Sequence, residues 1–327
     1  MKTVISTDRD AAVELLRKGG LVALPTETVY GLAANALNPI AVAKIFEAKE
    51  RPRFDPLIVH LPNREWLGRI VELPARDRKL ILKLTNKFWP GPFTMVLPKR
   101  EIVPDIVAAG LDTVAVRLSA HPVFAEIVSE LDEPLAAPSA NRFGCVSPTT
   151  AQHVLDELDG RIPLIIDGGP TEHGIESTIV AVHDGKIAIL RRGPITHEKL
   201  SEFAEVVSVT GTRRISAPGQ LPSHYAPATP LRLIDSADAF PRQENQRVGL
   251  LAWRSYRDSQ AFAAVRSLSD DGDLQEAAAN LFGYLRELDA LSLDLIVAER
   301  IPSQGLGAAI MDRLERASHR SAASPQK

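Results

Sequence analysis

The 327-residue chain holds one cysteine, Cys145, so no disulfide can form within it and nothing points to a cross-linked, secreted framework. Cys145 reads as a small buried thiol, not a nucleophile. Aromatic residues make up 5% of the chain, a poor supply for a base-stacking platform. No apolar run approaches the roughly 18 residues a membrane helix needs. The N-terminus turns acidic at Asp8 and Asp10, where a signal peptide would carry its apolar stretch. A soluble cytoplasmic protein is the expectation. A one-sided charge is also lacking. Residues 1–210 carry 24 Lys and Arg against 27 Asp and Glu, and residues 211–327 carry 14 of each. Neither part has the basic excess that drives salt-dependent nucleic-acid binding, so any cationic groove must be assembled locally by the fold.

Several catalytic signatures are missing as well. There is no Gly-x-x-x-x-Gly-Lys-Ser/Thr phosphate loop, no Gly-x-Gly-x-x-Gly fingerprint and no Gly-x-Ser-x-Gly elbow. Gly305-Leu-Gly307 lacks the third glycine. The eight histidines are scattered, with none spaced as metal ligands, and no protein metal site is expected.

What is present is ordinary globular material: 45% apolar and 24% charged residues, in a length that suits two domains. Strand-like and helix-like segments alternate, which predicts an α/β architecture. A helix is expected over residues 11–18, started by Thr7 or Asp8 and stopped by Gly19-Gly20. A second opens at Asn38-Pro39 and runs through Phe46. Strands are expected at residues 21–24, 57–61, 93–97, 113–118 and 164–166. Residues 179–182 and 187–190 flank Asp184-Gly185, a hairpin signal that makes the sheet mixed, not purely parallel. Residues 1–210 read as one domain and 211–230, with four prolines, as a linker or lid. A smaller α/β unit follows over 231–317, with strands at 248–253 and 293–298 and helices at 274–288 and 306–316. Residues 318–327 read as a disordered tail.

The chemistry-bearing segments share one character: a strand ends, and a loop rich in hydroxyls, small residues and a basic group follows. They include residues 25–32 (Pro-Thr-Glu-Thr-Val-Tyr-Gly-Leu), 49–52 (Lys-Glu-Arg-Pro), 55–60 (Asp-Pro-Leu-Ile-Val-His) and 113–117 (Thr-Val-Ala-Val-Arg). Later come 137–141 (Ala-Pro-Ser-Ala-Asn), 147–149 (Ser-Pro-Thr), 174–178 (Gly-Ile-Glu-Ser-Thr) and 190–193 (Leu-Arg-Arg-Gly). Ligands of open α/β sheets bind beyond the carboxyl ends of strands, where such loops gather. Arginines grip phosphate or carboxylate in bidentate fashion. Singly, each has a plainer reading: Lys49 and Arg51 as cations at a helix end, His60 as a core histidine, Arg117 as half of an internal salt bridge. From the residues alone the conclusion is an α/β protein with an anion site.

Taken together, these segments resemble the threonylcarbamoyl-AMP synthase family, whose catalytic unit is the YrdC-like domain. Residues 25–32, 49–52, 89–92 (Trp-Pro-Gly-Pro), 137–141 and 174–178 fall in the family's order and spacing, over about residues 5–205. Residues 217–219 and 224–227 (His-Tyr-Ala-Pro), with 301–307, are similar to the longer two-domain members. The resemblance implies a twisted, mixed-sheet YrdC-like domain with a cationic groove, plus a smaller Rossmann-like domain. It implies an L-threonylcarbamoyladenylate synthase, a nucleotidyltransferase acting in tRNA processing. Threonine, bicarbonate and ATP with Mg²⁺ give threonylcarbamoyl-AMP and pyrophosphate. A downstream tRNA threonylcarbamoyl-transferase complex receives the product, with no membrane and no strong direct nucleic-acid binding involved.

By the same resemblance, Thr28, His60, Arg117, the backbone at Ala137 and Ser177 belong to the threonine site. Arg51, Asp55, Thr113, Ser139, Ser147, Arg191 and Tyr225 belong to the ATP site, with Tyr225 closing over the nucleotide. Lys49 and Arg51 are the catalytic cations. Asp55 stands where the family usually has asparagine; a carboxylate beside phosphates wants Mg²⁺ or a basic neighbour. Arg192 replaces the family's usual proline, leaving open which of Arg191 and Arg192 reaches ATP. Two rivals are an RNA-binding module with a basic groove and a sugar-phosphate enzyme such as a dihydroxybutanone phosphate synthase. The charge balance and scarce aromatics oppose the first. The second needs a cluster of acidic Mg²⁺ ligands that these loops do not supply.

Overall fold

The computed structural model describes residues 2–208, 219, 224–241, 245–256, 258 and 261–319. Most of the proline-rich segment 211–230 and the tail from 320 onward lie outside the described residues. Chain contacts divide the protein into two units. The first comprises Met1–Phe143, Pro148–Glu172 and Glu176–Gln220, and the second Gly144–Ser147, His173–Ile175 and Leu221–Lys327.

The strands of the first unit are β1 (Val4–Ser6), β2 (Val22–Leu24), β3 (Gly31–Asn35), β4 (Ile58–His60), β5 (Phe93–Pro98) and β6 (Thr113–Arg117). They continue with β7 (Leu135–Ala136), β8 (Leu164–Ile166), β9 (Thr178–His183), β10 (Lys186–Arg191) and β11 (Val206–Ser208). These strands form one sheet in the order β1-β8-β2-β3-β7-β4-β6-β5-β9-β10-β11. Pairing is mixed: β4 runs parallel to β6 and β5 to β9, whereas β5–β6 and β9–β10 are antiparallel. The expected hairpin is present, with Asp184 at φ 53° and Gly185 at φ 74°, the pair of positive angles a two-residue turn between twisted strands requires.

Alternation along the strands splits the core between the two faces of the sheet. Ala23 of β2 joins a cluster with Val42, Ile45 and Phe46 of the helix Pro39–Lys49, together with Ile81, Leu84 and Val154. Its neighbours Val22 and Leu24 point the other way, into Leu16, Phe124 and Ile127 of the helices Arg9–Arg17 and Pro122–Leu131. The helix starts follow their caps. Asp8 accepts from the amide of Ala11, and Asn38 from the amides of Ile40 and Ala41, with Pro39 in the first turn. The strand β3 was not among the expected strands, and its first two residues fall in the loop segment 25–32. Its Gly-Leu-Ala-Ala-Asn sequence has no β-branched residue, and the ladders to β2 and β7 hold it extended.

The second unit contains β12 (Leu231–Ile234), β13 (Val248–Ala252), β14 (Ala264–Ser267) and β15 (Leu295–Glu299) in the order β12-β15-β13-β14, every pair parallel. The central β13 is buried throughout, as an all-parallel core strand should be. The helix Leu274–Asp289 begins at Asp273, which caps the amides of Gln275 and Glu276. The last helix extends over Gly307–Ser318, so Ser318 is helical where a disordered tail was expected to begin. Cys145 is half-buried, not buried. Among the described residues no helix is long and apolar enough to cross a membrane.

Candidate active site

Adjacent strand ends bring the first group of predicted residues together. His60 ends β4 and Arg117 ends β6, and the parallel register sets them side by side. The loop after β2 supplies Thr26, Glu27 and Thr28. Thr26 turns this loop on itself, its hydroxyl accepting from the amides of Thr28 and Val29 and lying 2.8 Å from the Thr28 hydroxyl. Arg117 donates through Nη1 to Thr28 Oγ1 at 3.2 Å and through Nη2 to Glu27 Oε1 at 2.6 Å. The Ser119 hydroxyl donates to Glu27 Oε2 at 2.5 Å. Arg117 is thus an internal ion pair and a member of the candidate site at once. Its Nε is buried with no hydrogen-bond acceptor.

Electrostatics sharpen this corner. Burial pushes Glu27 up, but the Arg117 charge and the hydrogen bonds from Ser119, the Glu27 backbone and Arg117 outweigh it and hold the carboxyl at about 2. Burial lowers His60, and the Arg117 charge lowers it further, to about 3, so its imidazole is neutral near pH 7. The His60 ring packs on Phe124 at 4.7 Å between centroids, and its Nδ1 is buried with no partner. A satisfied core histidine would not leave that atom unpaired. Ala137 lies in the next loop, its amide donating to the Ile58 carbonyl of β4.

Ser177 immediately precedes β9. Its hydroxyl lies 2.8 Å from that of Thr94, which stands opposite Arg117 in the β5–β6 ladder. Arg191, at the end of β10, donates through Nη2 to Ser177 Oγ and through Nε to the Ser177 carbonyl, both at 3.1 Å. Gly193 makes this packing fit: a Cβ there would lie 2.5 Å from the Thr178 amide nitrogen and 2.6 Å from the Glu176 carbonyl. Arg191 is buried, whereas Arg192 is exposed. Of the two adjacent arginines, Arg191 is the one turned inward.

A second cationic group lies around the loop that enters β4. Lys49 closes the helix Pro39–Lys49 and is buried, its ammonium donating to the Ser139 carbonyl at 2.5 Å and to the Asn141 carbonyl. Lys49 therefore ties down the loop that carries Ser139. Arg51 donates to the carbonyls of Asp55 and Pro56, and its Nη2 lies 2.9 Å from Asp55 Oδ2. This is the basic neighbour that Asp55 requires. Burial pushes the Asp55 carboxyl up, against the opposing pull of Arg51, Lys49 and Arg191.

Thr113 begins β6, at the opposite end of that strand from Arg117, and is half-buried. Ser147 and Tyr225 belong to the second unit. There the Ser147 carbonyl accepts from Arg286 Nε at 3.4 Å. Tyr225 is buried, stacked on Phe282 at 5.5 Å with the Arg313 guanidinium 5.3 Å from its ring. Sequence reasoning passed over Glu27, Thr94 and Ser119. A carboxylate between two threonines just after an apolar strand demands a counter-charge, and that was the available signal. Among the described residues no group of three or more His, Cys, Asp and Glu is placed to hold a metal ion.

Two family models match the chain. The Sua5/YciO/YrdC model, described as "Telomere recombination", covers residues 14–193. The model described as "Threonylcarbamoyl-AMP synthase, C-terminal domain" covers 195–319. The threonylcarbamoyl-AMP synthase of Pyrococcus abyssi is 39% identical over 94% of this chain and 93% of its own length. The protein of the same name from Bacillus subtilis is 40% identical over 94% and 91%. That of Schizosaccharomyces pombe is 36% identical over 90% and 84%. The crystal structure of P. abyssi Sua5 complexed with L-threonine superposes with a TM-score of 0.85 at 38% identity, covering 97% of this chain and 98% of that one. The chain belongs to the threonylcarbamoyl-AMP synthase family.

Proposed function

We propose that this chain is an L-threonylcarbamoyladenylate synthase, joining L-threonine, bicarbonate and ATP into threonylcarbamoyl-AMP with release of pyrophosphate and water. The observation that carries this reading is the meeting of two residue sets at Ser177. The Thr28–His60–Arg117 corner reaches it through Thr94, and Arg191 of the nucleotide set binds it directly. An amino acid seated at the first set would have its amine carried toward a triphosphate held by the second. The related P. abyssi structure, solved with L-threonine, supports the amino-acid assignment.

The chemistry requires a carbamate to form on the threonine amine and one of its oxygens to attack the α-phosphorus, with pyrophosphate leaving. Both partners are anions, so repulsion and positioning are the obstacles, and the fixed charges of Lys49, Arg51 and Arg191 address them. Arg117 suits the threonine carboxylate. Neutral His60 contributes a hydrogen bond without adding a charge. Asp55 is surrounded by three cations, an unfavourable place for a resident metal ion. Mg²⁺ therefore enters with ATP, held by the phosphates as part of the substrate and neutralising their charge. The enzyme acts in the cytoplasm, and its product passes to a separate transferase complex that modifies tRNA beside the anticodon.

The test is a mass-spectrometric search for threonylcarbamoyl-AMP in a reaction of the full chain with ATP, Mg²⁺, bicarbonate and L-threonine. Product and pyrophosphate should appear together, each dependent on every component. Arg51→Ala should lower the rate about 10²–10³-fold, as expected for loss of one preorganised electrostatic group. ATP consumption indifferent to threonine and bicarbonate would refute the reading.

A further inference from the structure

Asp55 is nearly inaccessible to solvent, yet neither carboxylate oxygen accepts a hydrogen bond of good geometry. Arg51 touches it at 2.9 Å but directs Nε and Nη2 to the Asp55 and Pro56 carbonyls. Among the described residues, the charged groups acting on Asp55 are cations: Arg51 in the same loop, Lys49 at the end of its helix and Arg191 at the end of β10. The carboxylate therefore serves as counter-ion to the cluster while remaining poorly solvated. Phosphates bound to that cluster would place further negative charge beside it. A buried carboxylate then has a cheap way out, which is to take a proton.

On the nucleotide reading above, we propose that Asp55 is an internal anion that competes with the phosphates of ATP for Arg51 and is neutralised by one solvent proton when the nucleotide binds. The proton ends on the Asp55 carboxyl, and no bond to the nucleotide forms or breaks. Arg51 and Lys49 then face the phosphates with their full charge. Asp55 is a positioning residue in this scheme, setting the charge of the cations that touch the substrate.

The linkage has a definite sign. Bound phosphates raise the carboxyl's proton affinity, so ATP binds more tightly at low pH and loses affinity as pH rises past the free site's titration. Each unit by which the nucleotide shifts that group appears as about a tenfold change in affinity. Calorimetric titration of the full chain with ATP and Mg²⁺, without threonine, should be run in buffers of different ionisation heat across roughly pH 5 to 8. Net proton uptake is expected in the wild type, beyond that from the titration of ATP itself. Asp55→Asn keeps the shape and removes the charge. It should abolish the excess uptake, flatten the pH dependence and tighten ATP binding by about tenfold near neutral pH. Uptake unchanged in the variant, no excess uptake in the wild type, or weaker binding by the variant would each overturn the proposal. Weaker binding would make Asp55 a metal or nucleotide ligand instead. A wild type that binds no ATP would remove the nucleotide reading and this proposal with it, whereas binding without excess uptake removes only the proposal.

Discussion

The Arg117–Glu27 and Arg51–Asp55 pairs are made of the same two groups, at 2.6 and 2.9 Å, and all four side chains are at least 95% buried. Their carboxyls nevertheless shift in opposite directions, Glu27 down to about 2 and Asp55 up. The difference lies in the hydrogen bonds. Glu27 receives Arg117 on one oxygen and Ser119 on the other, so its charged form is fully satisfied. Asp55 receives a charge at contact distance without aligned donors, and desolvation wins. A short distance between opposite charges therefore does not tell which protonation state a buried site prefers; the count of aligned donors does.

The comparison can be broken most severely at Glu27. Replacement by alanine strands Arg117 as a buried, uncompensated cation and should cost about 3–5 kcal/mol of unfolding free energy, measured by denaturant titration. A loss well under that range would mean that Arg117 relaxes into water and the pair is not a lock. Acid sharpens the contrast. Glu27 is depressed, so its contribution is present above the ordinary carboxylate range and is lost as pH falls toward about 2. Asp55 is raised, so its contribution is present at low pH and is lost as pH rises through its folded value. Denaturant titrations over a pH series should show the deficit of Glu27→Gln shrinking toward acid, and the standing of Asp55→Asn against the wild type improving toward neutrality.

Smaller effects probe single bonds. Ser119→Ala removes one hydrogen bond to a charged acceptor and should cost about 1.5–3 kcal/mol, with the acid transition moving to higher pH as Glu27 loses a donor. Asp55→Asn should be neutral or stabilising by about 1 kcal/mol at neutral pH, because removing the charge also removes its desolvation. A clear destabilisation would show that the cation cluster depends on that counter-ion to fold.

Much of the framework was legible before folding because it is locally encoded. Asp8, one of the two residues expected to start the first helix, caps it, Asn38 caps the second as expected, and Asp184-Gly185 makes the hairpin. The strand β3 was not legible, since alanines and a glycine carry no strand preference and only the flanking ladders extend them. The two-residue β7 escaped for a similar reason, being shorter than any periodicity can register. Of the site, the basic and hydroxyl residues could be picked out by type. Their partners could not: Glu27 meets Arg117 across 90 positions, and Thr94 meets Ser177 across 83.

The sequence by itself determined the class of architecture, the starts of capped helices, the hairpin turn, and the family to which the chain belongs, because caps, turns and motif order are written in neighbouring residues. Tertiary structure alone decided which arginine of Arg191-Arg192 turns inward, which carboxylate is hydrogen-bonded on both oxygens and which on neither, and how the two residue sets meet at Ser177. Those outcomes depend on burial and on donors arriving from distant strands. Desolvation and hydrogen-bond alignment are set only once the sheet has brought those strands together.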